Sequence, residues 1–123
     1  MSQGWIGVDL DGTLARSDRP WDGSVGNPVE TMLARVKDWL AMGVEVRIMT
    51  ARVGRGGYSE FSQRWADDAF IVEQKAIINA WCLKHLGQIL PVTCEKDFMM
   101  IELWDDRAVQ IIPNTGLRAD GGK

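Results

Sequence analysis

Asp9, Asp11, Thr50, Lys96, Asp105 and Asp106 are the side chains of this sequence whose types and placement could do chemistry together. Each follows a short apolar run. Asp9 ends Trp5-Ile6-Gly7-Val8, and Asp11-Gly12-Thr13 comes directly after it. Thr50 ends an alternating run over 44–49, Lys96 lies just beyond 89–93, and Asp105-Asp106 close Ile101-Glu102-Leu103-Trp104. Carboxylates gathered in one place repel one another unless a cation neutralises them. Hard oxygen ligands without His or Cys favour Mg²⁺ over zinc or copper. Such an ion suits phosphate chemistry, because it lowers the negative charge that otherwise keeps a carboxylate away from phosphorus. A lysine, a hydroxyl and backbone amides after the first strand, at Gly12 and Thr13, can hold the remaining phosphoryl oxygens.

These residues meet only if the runs are strands of one parallel sheet, because ligands of open α/β sheets bind beyond the carboxyl ends of the strands. Trp5–Val8 is short and without alternation, as in a strand buried on both faces. Residues 15–27 form a polar segment punctuated by Gly and Pro that carries Trp21. Asn27 as cap and Pro28 in the first turn then predict a helix, with Val29, Met32, Leu33, Val36, Trp39 and Leu40 at helical spacing and Gly43 as terminator. A second strand covers 44–49, followed by the loop Ala51–Tyr58. Ser59 is the predicted cap of a helical region over about 60–86, with Phe61 and Trp65 on one face, a break near Asp67-Asp68 and Gly87 as its stop. Further strands are predicted at 89–93, despite Pro91, at 101–104 and at 109–112. Strands alternating with helices imply right-handed crossovers and a three-layer, Rossmann-like α/β domain over 1–113, followed by a flexible polar tail over 114–123.

Asp9-Leu10-Asp11-Gly12-Thr13 after an apolar strand resembles the first motif of the haloacid dehalogenase (HAD) superfamily. Thr50 is similar to its second motif, Lys96 to its third, and Asp105-Asp106 to the double-Asp form of its fourth, in the family's order. The resemblance implies a HAD-like domain with Mg²⁺-dependent phosphatase activity. Asp9 would be the nucleophile and form an aspartyl-phosphate; Asp11 would protonate the leaving oxygen and then activate water. Thr50 would hydrogen-bond the phosphoryl group, and Lys96 would pair with both the phosphate and Asp9. Asp9, the Asp11 main chain and Asp106 or Asp105 would form the metal site, with Asp106 favoured as direct ligand. Gly12, Thr13, Ala51, Arg52 and Trp21 are the expected substrate-binding positions. The chain has no room for a large cap domain, only for a flap within 15–27 and a minimal insert near 55–70. The expected site is open, acts on a small phosphorylated metabolite such as a nucleotide or sugar phosphate, and can be closed by a second copy of the chain.

Composition narrows the alternatives. The chain has 123 residues, a net charge of −3 and 25% charged residues, which suits one globular domain and argues against a nucleic-acid partner. No apolar run has the length of a membrane span, and no segment has the pattern of a signal peptide. Cys82 and Cys94 lack metal-ligand spacing, so two reduced thiols and a cytoplasmic location are expected. The competing functions are a non-catalytic phosphate-binding module and a phosphatase acting on phosphoprotein or nucleic-acid ends. Each residue also has a plain structural reading. Thr50 can bond local backbone, Lys96 can be a surface lysine with Lys75 and Lys84 as rivals, and Arg52, Arg55, Tyr58 and Arg64 can form a solvated loop. Trp39, Trp81 and Trp104 read as core residues, and His85 as a last-turn surface residue.

Overall fold

The structure is a computed structural model that describes residues 4–18, 20–59 and 63–122. It is an α/β domain with a parallel sheet in the order β5-β2-β1-β6, formed by β1 (Trp5–Asp9), β2 (Glu45–Met49), β5 (Val92–Thr93) and β6 (Met100–Trp104). Two helices connect the first three of these strands: α1 (Glu30–Ala41) and α2 (Asp68–Leu86). A small antiparallel hairpin, β3 (Tyr58–Ser59) with β4 (Arg64–Trp65), precedes α2. Among the described residues, no helix is long and apolar enough to cross a membrane.

The connections explain which face each element covers. The links β1–α1–β2 and β2–α2–β5 both step towards the same edge of the sheet, so right-handed crossovers put both helices on one face. Alternate strand residues Ile6, Val8, Val46 and Ile48 meet Met32, Leu33 and Val36 of α1 and Ile78, Trp81 and Cys82 of α2 there in one core. The link from β5 to β6 reverses direction and crosses the other face, and it consists only of residues 94–99. It is anchored by Asp97, which accepts a 2.8 Å hydrogen bond from the Trp5 indole N–H, while the Arg47 guanidinium lies 4.4 Å from the Trp5 ring. On this face a side chain at Gly7 would lie 3.1 Å from Trp5 and 3.4 Å from Leu103, so glycine leaves room for the indole. Among the described residues no helix lies there, and the helical third layer expected from the sequence is replaced by a loop.

Several local boundaries also differ from expectation. Helix α1 starts at Glu30 behind Val29, and no side chain caps it, so Asn27 and Pro28 belong to the approach: the Asn27 carbonyl accepts from Arg16 N–H at 2.8 Å. Ser59 lies in β3 and does not cap a helix. Asp67 caps α2 by accepting from Phe70 N–H, at the break the sequence marks, and Gly87 ends the helix with φ +77°. Phe61 lies outside the described residues. The predicted strand at 109–112 does not join the sheet. Ile111 bridges Arg118, and Ala119 N–H donates to Gln110 O at 2.8 Å, so part of the predicted tail turns back as a hairpin. Cys82 is buried and Cys94 exposed, both as free thiols, and burial pushes the Cys82 thiol up to about 11.

Candidate functional site

The direction of the chain connections changes between β1 and β6, and the carboxyl ends of these two strands frame the crevice where such sheets bind ligands. Asp9 ends β1, and Asp105-Asp106 follow β6. Carboxylate oxygens of Asp9, Asp105 and Asp106 all lie within 4.8 Å of one another. Burial, a hydrogen bond with Asp106 and the charges of Asp105 and Asp106 push the Asp9 carboxyl up to about 7. The turn after Asp9 is tight. Leu10 O accepts from Ala15 N–H at 2.8 Å, and Gly12 N–H donates to Ala15 O at 2.8 Å. Gly12 has φ +91°, and a Cβ there would lie 2.6 Å from Asp106 Oδ2. Glycine is therefore required twice, by the backbone and by the approach of Asp106. With its amide already bonded, Gly12 makes room for the acidic cluster and does not offer the free amide expected from the sequence. Thr13 Oγ1 lies 3.4 Å from both Asp9 Oδ2 and Asp106 Oδ1, between the two carboxylates.

Asp11 stands apart from this cluster. Both of its oxygens accept 2.8 Å hydrogen bonds from Arg52, whose side chain is 5% exposed. The same guanidinium donates to Gly23 O, Ser24 O and Gln74 Oε1 and lies 4.3 Å from the Trp21 ring. Arg52 thus ties the first-strand turn, the flap segment and α2 together. Thr50 is buried, and its hydroxyl accepts from Arg52 N–H at 3.2 Å, which caps the 3-10 turn Ala51–Val53. The local-backbone reading of Thr50 is realised.

An open cleft of about 530 Å³ rises from Asp9 and Asp105. Asp11, Thr50, Ala51, Arg52 and Trp21 line it, together with Tyr58, Arg64, Phe70, Cys94 and Arg107. Lys96 is exposed, does not line the cleft and has no ion pair among the described residues. Of the predicted positions the cleft gathers Asp9, Asp11, Trp21, Thr50, Ala51, Arg52 and Asp105; Gly12, Thr13 and Asp106 line a separate depression with Arg35 and Trp104, and Lys96 joins neither. Arg55 pairs with Asp68, and Arg64 pairs with Glu73 at 2.6 Å. Arg107 lines the cleft with no ion pair among the described residues, which makes it the cationic group nearest to what Lys96 was expected to supply. Its sequence signal was its place directly after Asp105-Asp106. Gln74 was also missed: it is a polar residue inside the buried stripe Phe70, Gln74, Ile78, Trp81 and Cys82 of α2.

No protein-family model matches the chain, and no curated protein or solved structure matches it at a significant level.

Proposed function

We propose that the chain is a HAD-like, Mg²⁺-dependent phosphomonoester hydrolase that acts through an aspartyl-phosphate on a small phosphorylated metabolite, such as a nucleotide or sugar phosphate. The observation that carries this reading is the meeting of Asp9, Asp105 and Asp106 at the β1–β6 switch point, from segments far apart in sequence. The donor set fits a hard divalent cation: three carboxylates with no His or Cys among them. Asp9, Asp105 and Asp106 would hold Mg²⁺, which when bound offsets the charge of the phosphoryl group and of the carboxylates around it.

In this reading an Asp9 oxygen attacks phosphorus, and the ester oxygen departs with a proton from Asp11. Water then attacks the phosphorus of the aspartyl-phosphate, Asp11 takes the water proton, and phosphate and free Asp9 result. Thr50 and Arg107 line the cleft and would supply donors to phosphoryl oxygens in this reading. Tyr58, Phe70 and Trp21 give the cleft apolar surface for the organic part of the substrate. Such a domain departs from the three-layer form of the superfamily, because among the described residues the 94–99 link that crosses the second sheet face contains no helix.

The test is a panel of phosphorylated metabolites assayed with Mg²⁺, in chelator, and with Asp9→Asn. Expected is hydrolysis of at least one phosphomonoester that chelator and Asp9→Asn both abolish. Full hydrolysis in excess chelator, or phosphate binding without turnover across the panel, would overturn it; the second result favours the phosphate-binding module.

A further inference from the structure

The buried core of the domain ends at Leu90: among the described residues, none of 91–122 is buried. That stretch nevertheless carries many apolar side chains, and they fall on two surfaces. One is the sheet face without a helix. Leu103 of β6 projects to it, 3.4 Å from where a Cβ at Gly7 would lie, and Ile101, two residues earlier, shares that side of the strand. Ile101 is 60% exposed, and Phe98, in the link that crosses this face, is 99% exposed. Strand β6 is also the outer strand of the sheet, and an open edge with apolar side chains invites pairing. The other surface is the hairpin over 110–119. Its two arms meet at the Ile111–Arg118 bridge and through the 2.8 Å bond from Ile112 N–H to Leu117 O. Ile111 and Leu117 are exposed on it, Leu117 at 63%. A two-stranded hairpin is marginal in water unless its apolar side packs against something. The hairpin does not cover the chain's own sheet face, since both are exposed.

We propose that the two surfaces cover each other between two copies of the chain: the 110–119 hairpin of each copy packs on the helix-free sheet face of its partner, and so supplies in trans the layer that this face lacks. The apolar side chains exposed over 98–117 present an area on the order of 800 Å², about what each partner gives to a stable interface of standard size. Charges beside them are paired within the chain: Arg47 with Glu45 and Asp97, and Arg118 with Asp120. With those charges neutralised internally, the surfaces meet an identical copy without strong like-charge repulsion. The exchange is mutual, so it closes at two chains and leaves neither a hairpin nor a face uncovered. The inference is independent of the phosphatase reading, because Phe98, Ile101, Leu103, Ile111 and Leu117 neither join the acidic cluster nor line the cleft.

The experiment measures the mass of the full chain in solution by sedimentation equilibrium, from micromolar to near-millimolar concentration. The parent is expected to be a dimer in reversible equilibrium with monomer. Ile101→Asp on the face and Leu117→Asp on the hairpin should each raise the dissociation constant at least about a hundredfold, because each puts a charge into both apolar contacts of the dimer. A mixture of the two variants is the decisive arm. Either variant alone has no intact contact. The mixed pair joins the intact hairpin of the Ile101→Asp chain to the intact face of the Leu117→Asp chain, so it should associate more tightly than either variant with itself. Both positions are exposed in the single chain, so both variants should keep a cooperative melting transition. If Ile101→Asp does not, Phe98→Asp takes its place on the same criterion. A parent that stays monomeric, as it would if a different protein covered these surfaces, overturns the proposal. So does a parent larger than a dimer, a dimer that either substitution leaves intact, or a mixture no tighter than its components.

Discussion

Asp9 and Asp11 are two residues apart, and the molecule surrounds them in opposite ways. Asp9 faces other carboxylates, is partly desolvated, and shares a proton-dependent hydrogen bond with Asp106. Asp11 faces a buried guanidinium that meets both of its oxygens. Between them Leu10 is fully buried and pins the turn, so the two carboxylates leave the backbone towards different walls of the cleft. One wall thus carries excess negative charge and the other is neutralised within the protein. In the proposed phosphatase reading the first wall would accept a cation and meet phosphorus, while the second keeps a carboxylate apart from that cluster.

The largest effect expected from disturbing this contrast is on Asp9. Asp9→Asn should lower turnover by a factor on the order of a thousand or more, because the amide cannot form the acyl phosphate. In metal-free buffer near neutral pH the same change should raise the melting temperature, since it removes one of the clustered charges. Asp11→Asn should do the reverse to stability. It leaves the Arg52 charge buried with half of its pairing lost, so the melting temperature should fall, in chelator and in Mg²⁺ alike. Its activity loss on alkyl phosphates should be about a hundredfold, and smaller on nitrophenyl phosphate. Melting curves of the two variants side by side check the opposite signs. If both shift the same way, the two carboxylates are not in contrasting surroundings.

The next effect in size is the pH dependence of metal binding. The folded-state Asp9 carboxyl lies at about 7 against 3.8 for an ordinary aspartate, so the metal-free folded protein holds this proton more tightly than the unfolded chain does. That contribution is complete below the ordinary value and is lost as pH rises through 7. Mg²⁺ competes with the proton for the same oxygens. The rise in melting temperature on adding Mg²⁺ should therefore be small at about pH 5 and larger at about pH 8. Melting temperatures in Mg²⁺ and in chelator at both pH values check this. An increment independent of pH would place the ion away from Asp9.

The sequence made the acidic half of this contrast legible and left the cationic half obscure, for a physical reason. Asp9 and Asp105-Asp106 follow short apolar runs, and such runs closed by carboxylates point to one rim of a parallel sheet without any tertiary information. The Arg52 clamp depends on side chains from the flap, from the turn after β2 and from the middle of α2, and no spacing rule joins those segments. Gln74 alone broke a helical stripe, a signal only in hindsight. The missing third layer was hidden in the same way. Residues 94–99 are too short for a helix, but the sequence does not tell on which face they cross; strand order, which no local pattern contains, decides that. The helix boundary at 59–68 failed because Phe61 and Trp65 fit helical spacing, whereas Tyr58 and Trp65 pair across a hairpin with ring centroids 5.0 Å apart.

The smallest expected effect separates two cations on the rim. Lys96 follows the chain order of the resembled motifs, but its side chain is exposed and outside the cleft. Arg107 lines the cleft, and its own backbone N–H donates to Asp105 Oδ1 at 2.7 Å, which fixes its base beside the acidic cluster. A guanidinium held there can give two parallel hydrogen bonds to phosphoryl oxygens. Arg107→Ala should then lower kcat/KM for a phosphomonoester at least about tenfold, because both of these charged hydrogen bonds to substrate are lost. Lys96→Ala should change it by less than about twofold, as for a surface residue away from the reacting groups. Both variants should melt with the parent, because neither side chain has an ion pair among the described residues. A large loss in Lys96→Ala with none in Arg107→Ala would mean that the 94–99 link rearranges to bring the lysine to Asp9 when substrate binds. Because Asp97 anchors this link to the Trp5 indole, that rearrangement would break the Asp97–Trp5 bond, and tryptophan fluorescence on substrate binding would report it.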